Sequence, residues 1–358
     1  MRLFIAVDDL SDGGPIWINS LIPMIAVFSQ CFDVTILQAP AKERPRARLP
    51  ARYERWRTLE ATRRSWCSEV RGALDADGPN VLMVWGDAVH WSRALWPVWD
   101  LFSHRVLYVL DTLEPGDIGP GIASRFDLVA CFCADLEARH VAATGLPTLF
   151  FPAHADTLRH HWAGAYRPLD MLISGRRDDR HHLPLFLHFN RPDVDRVFVD
   201  VMSRGQTPMS RAQEFALLAS TYAKAASAFC YEPSGVPRFR GGSPLLERWV
   251  HAWMSGCTVF GTRPRGRATD VLMDWADSTI ELPDDPQAAI DLVEETLSDA
   301  EGMARRRRGN VREAVRRHDT RLRIAELLAV LDLPRPPGLV TGLDRLAALE
   351  KELAQLSG

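Results

Sequence analysis

Gly241-Gly242-Ser243-Pro244, with Arg238 and Arg240 just ahead of it, is the stretch whose residue types best suit the binding of an anion. Two glycines let a backbone approach a ligand closely. Ser243 followed by Pro244 reads as a helix start, a hydroxyl N-cap and then a proline whose missing N–H costs nothing in the first turn. A helix beginning there turns unpaired N–H groups and the positive end of its dipole toward a phosphate or diphosphate, and the two arginines add charge. The predicted helix runs to Gly256. Leu245, Leu246, Trp249, Val250, Trp253 and Met254 form its apolar face, and Glu247, Arg248, His251 and Ser255 fall on the other side. The segment 227–231 ahead of it reads as the end of a buried strand. The segment 258–262 behind it reads as a short strand leading into a basic, glycine-containing loop. The plainer alternative is an amphipathic helix packed on a sheet, its polar face solvated.

Gly-Gly-Ser, Arg248 and the run Ala-Trp-Met-Ser-Gly-Cys-Thr-Val-Phe-Gly-Thr resemble the donor-binding motif of GT-B glycosyltransferases, and most of all the group related to the spore-maturation protein CgeB. The resemblance implies an α/β chain of two Rossmann-like domains facing a cleft, and transfer of a sugar from a nucleotide diphosphate to an acceptor without a metal. It implies a nucleotide sugar as donor substrate and no permanently bound cofactor. UDP, GDP and dTDP stay open, as does the acceptor. In that family the helix carries a glutamate five positions before the glycine, which grips the ribose; here that position is His251, and the nearest carboxylate is Glu247, one turn earlier. A basic residue after the first strand of the donor domain reaches the diphosphate in the family. Arg176 or Arg177 would fill that role, with Lys224 as a further candidate. The family often opens with a strand, a Gly-Gly loop and a helix, matched here by residues 2–7, Gly13-Gly14 and a helix from about Ile16. Arg317-His318-Asp319 also resembles a motif near the family's C-terminus. The match covers most of the second half and only loosely the first. Histidine in place of glutamate keeps open a non-catalytic relative that binds a nucleotide or glycan as a partner protein.

The elements that would position these residues alternate strand and helix, the pattern of parallel sheets. Residues 2–7, 32–37, 81–85, 105–110 and 127–133 read as strands of a first domain spanning 1–153. Polar residues just beyond strand C-termini face the ligand crevice of such a sheet, which makes Asp87, His90, Asp111 and Glu114 the catalytic shortlist. Helix capping and surface loops are the plainer roles for each. Residues 154–168 read as a linker. Its His160-His161 pair is set aside as a metal site, because adjacent side chains point apart. A second domain, 169–330, repeats the pattern from the strand 169–174, with a helix over 210–227 and one long helical stretch from about Asp299 to Val330. Residues 331–358 form a C-terminal helix whose Leu346, Leu349, Leu353 and Leu356 recur at heptad spacing. It either lies back on the body or pairs two subunits.

At 358 residues the chain exceeds what one core usually serves. The net charge of -3 provides no bulk field for nucleic acid, although arginine and tryptophan gather between Ala39 and Leu74. There the interspersed glutamates favour a solvated helix face. Six cysteines without a Cys-x-x-Cys pair fit reduced, buried thiols in a cytosol. The longest apolar run, 16–32, is interrupted by Asn19, Ser20, Pro23 and Ser29, which fits neither a signal peptide nor a membrane span.

Overall fold

A computed structural model describes residues 1–10, 21–40, 51–110, 118, 120–159, 166–201, 210–232 and 241–355. The chain divides into two compact units, Met1–Pro152 with Ile324–Val340, and Ala153–Arg323 with Thr341–Gly358.

The first unit is built on a parallel sheet of six strands: β1 (Arg2–Val7), β2 (Asp33–Gln38), β3 (Asn80–Trp85), β4 (His104–Val109), β5 (Leu128–Cys131) and β6 (Thr148–Phe150). Their order is β2-β1-β3-β4-β5-β6. Strand β3 is buried along its whole length, as expected of a strand covered on both faces. Helices α1 (Leu21–Cys31), α2 (Ala51–Ala73) and α3 (Glu137–Thr144) belong to this unit. After β3 the chain takes a run of 3-10 turns, Gly86–Leu101, with Pro97 inside it, an element that the sequence pattern does not announce. Leu82, Leu107, Trp66 and Phe102 are among the residues of the core between sheet, α2 and this run.

The second sheet contains β7 (Leu169–Ile173), β8 (Phe198–Asp200), β9 (Ala225–Cys230), β10 (Thr258–Gly261) and β11 (Ile280–Glu281), all parallel, in the order β11-β10-β9-β7-β8. Around it run α4 (His182–Phe189), α5 (Arg211–Lys224), α6 (Glu247–Met254), α7 (Pro286–Ser298) and α8 (Ala300–Arg317). Helix α9 (Thr320–Val330) carries the chain back to the first unit, and α10 (Pro337–Gln355) returns it to the second. The single helix read over 299–330 is therefore two, broken at His318-Asp319. Leu346 and Leu353 of α10 are buried against Val311 and Val315 of α8, so the leucine face lies back on its own unit.

In each sheet the order reverses beside the first strand, between β1 and β3 and between β7 and β9. The carboxyl ends of the strands at such a switch point are where open α/β sheets receive ligands.

No described helix is long and apolar enough to cross a membrane.

Candidate functional site

Strand β7 ends at Ile173 and is followed by Ser174 and by Gly175, which adopts a φ of +100°. Glycine alone takes that conformation at little cost. It is also needed for space, since a Cβ there would lie 3.2 Å from Cζ of Arg248 and 3.3 Å from both its terminal nitrogens. Arg248 stands in the first turn of α6 and reaches back across the end of β7, where its Nη1 donates to the Arg176 carbonyl at 3.4 Å. Among the described residues it makes no ion pair. The start of α6 is open too: Leu246 is the N-cap and supplies no side-chain hydrogen bond. A guanidinium without a carboxylate and an uncapped helix N-terminus thus meet at the β7 side of the switch point, a combination suited to phosphate oxygens.

This start of α6 corrects the helix boundary read from Ser243-Pro244. Ser243 is buried and its hydroxyl is engaged elsewhere, donating to Oε1 of Glu232 at 2.7 Å while accepting the N–H of Arg265 at 2.9 Å. A hydrogen bond to a carboxylate is stronger than a neutral capping bond, and residues 242–246 run on without helical structure. Gly241 has a φ of +85°, and a Cβ on it would meet nothing within 4 Å, so the backbone there borders open space. Gly242 is buried.

Behind Arg248, the buried Tyr222 of α5 shares a hydrogen bond with Ser174 Oγ, and its ring meets His251 edge-on with centroids 6.0 Å apart. Burial pushes the Tyr222 phenol well above its ordinary range. Glu247 and His251 occupy α6 one turn apart and are both half-buried.

The other candidates separate. The carbonyl of Arg176 receives Arg248, so Arg176 belongs to the same corner. Arg177 pairs instead with Asp200 at the end of β8, a carboxylate that His182 also approaches at 3.3 Å. Lys224 is not brought to the site. It is exposed and precedes Ala225, the residue of β9 paired with Leu169 at the start of β7, which places it at the opposite edge of the sheet. Arg238 and Arg240 lie outside the described residues.

In the first unit, Gly86, with a φ of +56°, ends β3, and Asp87 and the exposed His90 follow in the 3-10 run. A Cβ on Gly86 would stand 3.8 Å from Oδ2 of Asp8, the residue after β1, so Asp8 and Asp87 share the carboxyl edge at that sheet's switch point. Asp9 beside them accepts from Gln38 Nε2 at 3.0 Å. Asp111, Glu114, Gly13 and Gly14 lie outside the described residues.

Elsewhere in the second unit, the segment read as a linker begins with a buried ionic cluster. Ala155 pairs with Asp319 in an isolated parallel bridge, and Arg321 Nη1 reaches Asp156 at 3.0 Å and Asp319 at 3.1 Å. The Asp319 carboxylate also accepts the backbone N–H of Thr157 at 2.9 Å, its hydroxyl at 2.7 Å, and the N–H of Arg321 at 2.8 Å. His154 and His318 are buried around it, and burial together with the nearby Arg323 holds both at about 3. Arg317-His318-Asp319 therefore forms part of a closed structural network.

The fold is that of the GT-B glycosyltransferases. Solved structures that match it include Anabaena Alr3699/HepE in complex with UDP-glucose, at 12% identity over 93% of this chain and 99% of that one, with a TM-score of 0.55. A glycosyltransferase from Rickettsia africae ESF-5 matches at 10% identity over 92% and 97%, with a TM-score of 0.53. The N-terminal domain of a Candida albicans trehalose-6-phosphate phosphatase matches at 8% identity over 92% and 96%, with a TM-score of 0.54. Identities this low speak for the fold alone. No family model matches the chain, and no curated protein matches it in sequence, so the narrower CgeB-like assignment rests on the motif.

Proposed function

We propose that this protein is a glycosyltransferase taking a sugar from a nucleotide diphosphate sugar, with the second unit holding the donor and the first the acceptor. The observation that carries the reading is Arg248, a guanidinium held against Gly175 without a carboxylate partner among the described residues, at an uncapped helix start on the switch point. As the bond to the sugar breaks, negative charge grows on the departing diphosphate. A fixed guanidinium and helix N–H groups stabilise that charge without reorganising. Arg176 supports the same corner. In the first unit Asp87, at the edge it shares with Asp8, is the carboxylate assigned to accept the proton of the acceptor hydroxyl, with His90 and Asp111 as its neighbours in the sequence pattern. The bound nucleotide of Alr3699/HepE supports a nucleotide sugar as the ligand class.

His251 at the position of the family's ribose-binding glutamate favours a second reading, a relative that binds the nucleotide without turning it over. A thermal-shift panel decides on binding, because a ligand that binds only the native state stabilises it by mass action. One of UDP, GDP or dTDP should raise the melting temperature by several degrees, and its monophosphate by much less. No shift with any diphosphate at millimolar concentration would sink both readings. Release of free sugar from the matching nucleotide sugar separates the transferase from the inert binder.

A further inference from the structure

Arg167 and Arg307 meet at the amino edge of the second sheet, away from Arg248. Arg167 lies just ahead of β7, and Arg307 stands in the middle of α8. Both close on Gly256, where a Cβ would stand 2.7 Å from Arg307 Cγ and 3.1 Å from Arg167 Nη2. Gly256 has a φ of +74°, a conformation that suits glycine, and its missing side chain leaves room for the two arginines to approach. Carbonyls fix Arg167: its Nη2 donates to Ser255 at 2.6 Å, and its Nη1 to Ala225 at 3.1 Å and to Tyr222 at 3.3 Å. Those dipoles orient the guanidinium without neutralising it.

No carboxylate balances the pair. Among the described residues Arg167, Arg307 and Arg308 make no ion pair, whereas Arg306, on the same helix, reaches Asp277 at 3.5 Å and Asp299 at 3.6 Å. Cys257, next to Gly256, is a thiol that burial pushes up to about 12, so it brings no charge at neutral pH. The Nε atoms of Arg167 and Arg307 are both buried without a hydrogen-bond partner among the described residues. Burial lowers both guanidiniums from their usual range, and the charge of Arg307 acts on Arg167 in the same direction, as that of Arg308 does on Arg307. Half-buried cations side by side with donors to spare are costly unless an anion is shared between them. A carboxylate has two oxygens and one charge, which a single guanidinium fork uses up. A phosphate group carries about -1.5 to -2 at pH 7 and three acceptor oxygens, enough for donors arriving from two elements.

We infer that Arg167 and Arg307, with Arg308 beside them, hold a phosphate group at the amino edge of the second sheet. Arg248 stands in the first turn of α6 and Gly256 just past its end, so about 12 Å of helix axis separates this site from the nucleotide corner. The site stands whether or not Arg248 holds a diphosphate. The phosphate belongs either to a small soluble molecule or to a lipid headgroup.

The test uses the full chain carrying Arg248→Ala, so that phosphate bound at the other end of α6 does not enter, and compares it with the same chain carrying Arg307→Met as well. Methionine keeps an apolar stem beside Gly256 and removes the fork. Inorganic phosphate, exchanged against chloride at constant ionic strength, should raise the melting temperature of R248A by mass action. By titration calorimetry it should bind R248A/R307M about tenfold more weakly, the size of a lost charged hydrogen bond. Without phosphate, R307M should not lower the melting temperature, since it removes one of two neighbouring cations. Arg308→Gln in place of Arg307→Met should weaken phosphate by a smaller factor, and decides the matter if R307M fails to fold. Sedimentation with phosphatidylcholine vesicles containing phosphatidic acid identifies the source: capture of R248A but not of R248A/R307M assigns a lipid headgroup, and binding of free phosphate without capture assigns a soluble phosphate monoester. Equal phosphate affinity in R248A and in both double variants would overturn the inference, as would an R248A chain that takes no phosphate at millimolar concentration.

Discussion

Arg321 is 2% exposed and ends on two carboxylates, Asp156 and Asp319; Arg248, in the same unit, is half-buried and ends on a backbone carbonyl. Both guanidiniums lie beside a glycine. At Gly342 a Cβ would stand 2.6 Å from Arg321 Cδ, and at Gly175 a Cβ would stand 3.2 Å from Arg248 Cζ. Close packing therefore does not separate them; satisfaction of charge does. The desolvation of Arg321 is offset by two anions, Asp156 and Asp319, and Asp319 also accepts from Thr157 and from the Arg321 N–H. Arg248, at the carboxyl edge of its sheet, has no carboxylate partner among the described residues.

The comparison breaks most visibly at Arg321. Arg321→Ala leaves Asp156 and Asp319 buried without their cation and empties the space beside Gly342, which should cost about 3–5 kcal/mol of stability. The measurement is the urea midpoint at neutral pH, and a loss under about 1 kcal/mol would mean that the cluster is not the fastening described here. Arg248→Ala should do the reverse. Its side chain meets solvent and leaves no carboxylate behind, so the midpoint should hardly move, while affinity for a nucleoside diphosphate falls by roughly ten- to a hundredfold, or about 1.5–3 kcal/mol. Titration calorimetry on the two variants, read side by side, sharpens the contrast; an R248A that binds as the wild type does would remove the diphosphate from this corner.

Much of the fold was legible because parallel strands covered on both faces appear as unbroken apolar runs, as in Asn80–Trp85, and because helices fill the intervals. Two features of the site were not legible, for one reason. Ser243-Pro244 is a sound helix start locally, but Glu232 claims the serine hydroxyl from eleven residues away, and the helix begins at Glu247. Arg248 lay in a recognisable motif, on the polar face of its helix, yet its guanidinium packs beside Gly175 and donates to the Arg176 carbonyl, some seventy residues earlier. The buried cluster is more remote still, with Asp156 and Arg321 separated by 165 positions. Local propensity reports how an element would begin; it does not report a competing partner brought in by the tertiary fold. The break of the long C-terminal helical stretch has the same origin, since the Asp319 carboxylate accepts the Arg321 N–H in the manner of an N-cap and starts a new helix.

The histidines of the closed network give that network a pH signature. His318 donates its Nε2–H to the Leu272 carbonyl at 3.0 Å and lies against Trp253, its ring centroid 5.2 Å away. Burial, with Arg323 beside them, holds His318 and His154 at about 3, below the roughly 6.5 of an unfolded chain. Between these values the unfolded state binds more protons. The stabilisation is therefore complete above pH 6.5 and is lost as pH falls toward 3, at about 1.4 kcal/mol per pH unit for each group. His318→Gln keeps a donor for Leu272 but cannot titrate. It should lower stability at pH 7.5 yet flatten the fall between pH 6.5 and 4.5 by about 1.4 kcal/mol per unit. Urea midpoints that decline in parallel for both proteins would show that His318 is not what acid attacks.

The smallest expected effect tests the placement of the site itself. Lys224 is basic, close in sequence to β9 and attractive as a phosphate contact, but it precedes the first residue of that strand. Ala225 pairs with Leu169, whereas Phe229 pairs with Ile173, just before Gly175. Six residues rising about 3.3 Å each put roughly 20 Å between the two edges of the sheet. That exceeds the Debye length of about 8 Å at physiological salt, so the charge of Lys224 is screened from an anion held by Arg248. Lys224→Ala should leave nucleotide affinity within about twofold of wild type and stability nearly unchanged, as an exposed surface substitution does. A loss of tenfold or more would instead place the anion at the amino edge of the sheet. There Arg167 caps the ends of α5 and α6, donating to the Tyr222 carbonyl at 3.3 Å and the Ser255 carbonyl at 2.6 Å. In that case Arg248 would have to be counted with Arg321 among the groups that only hold the fold.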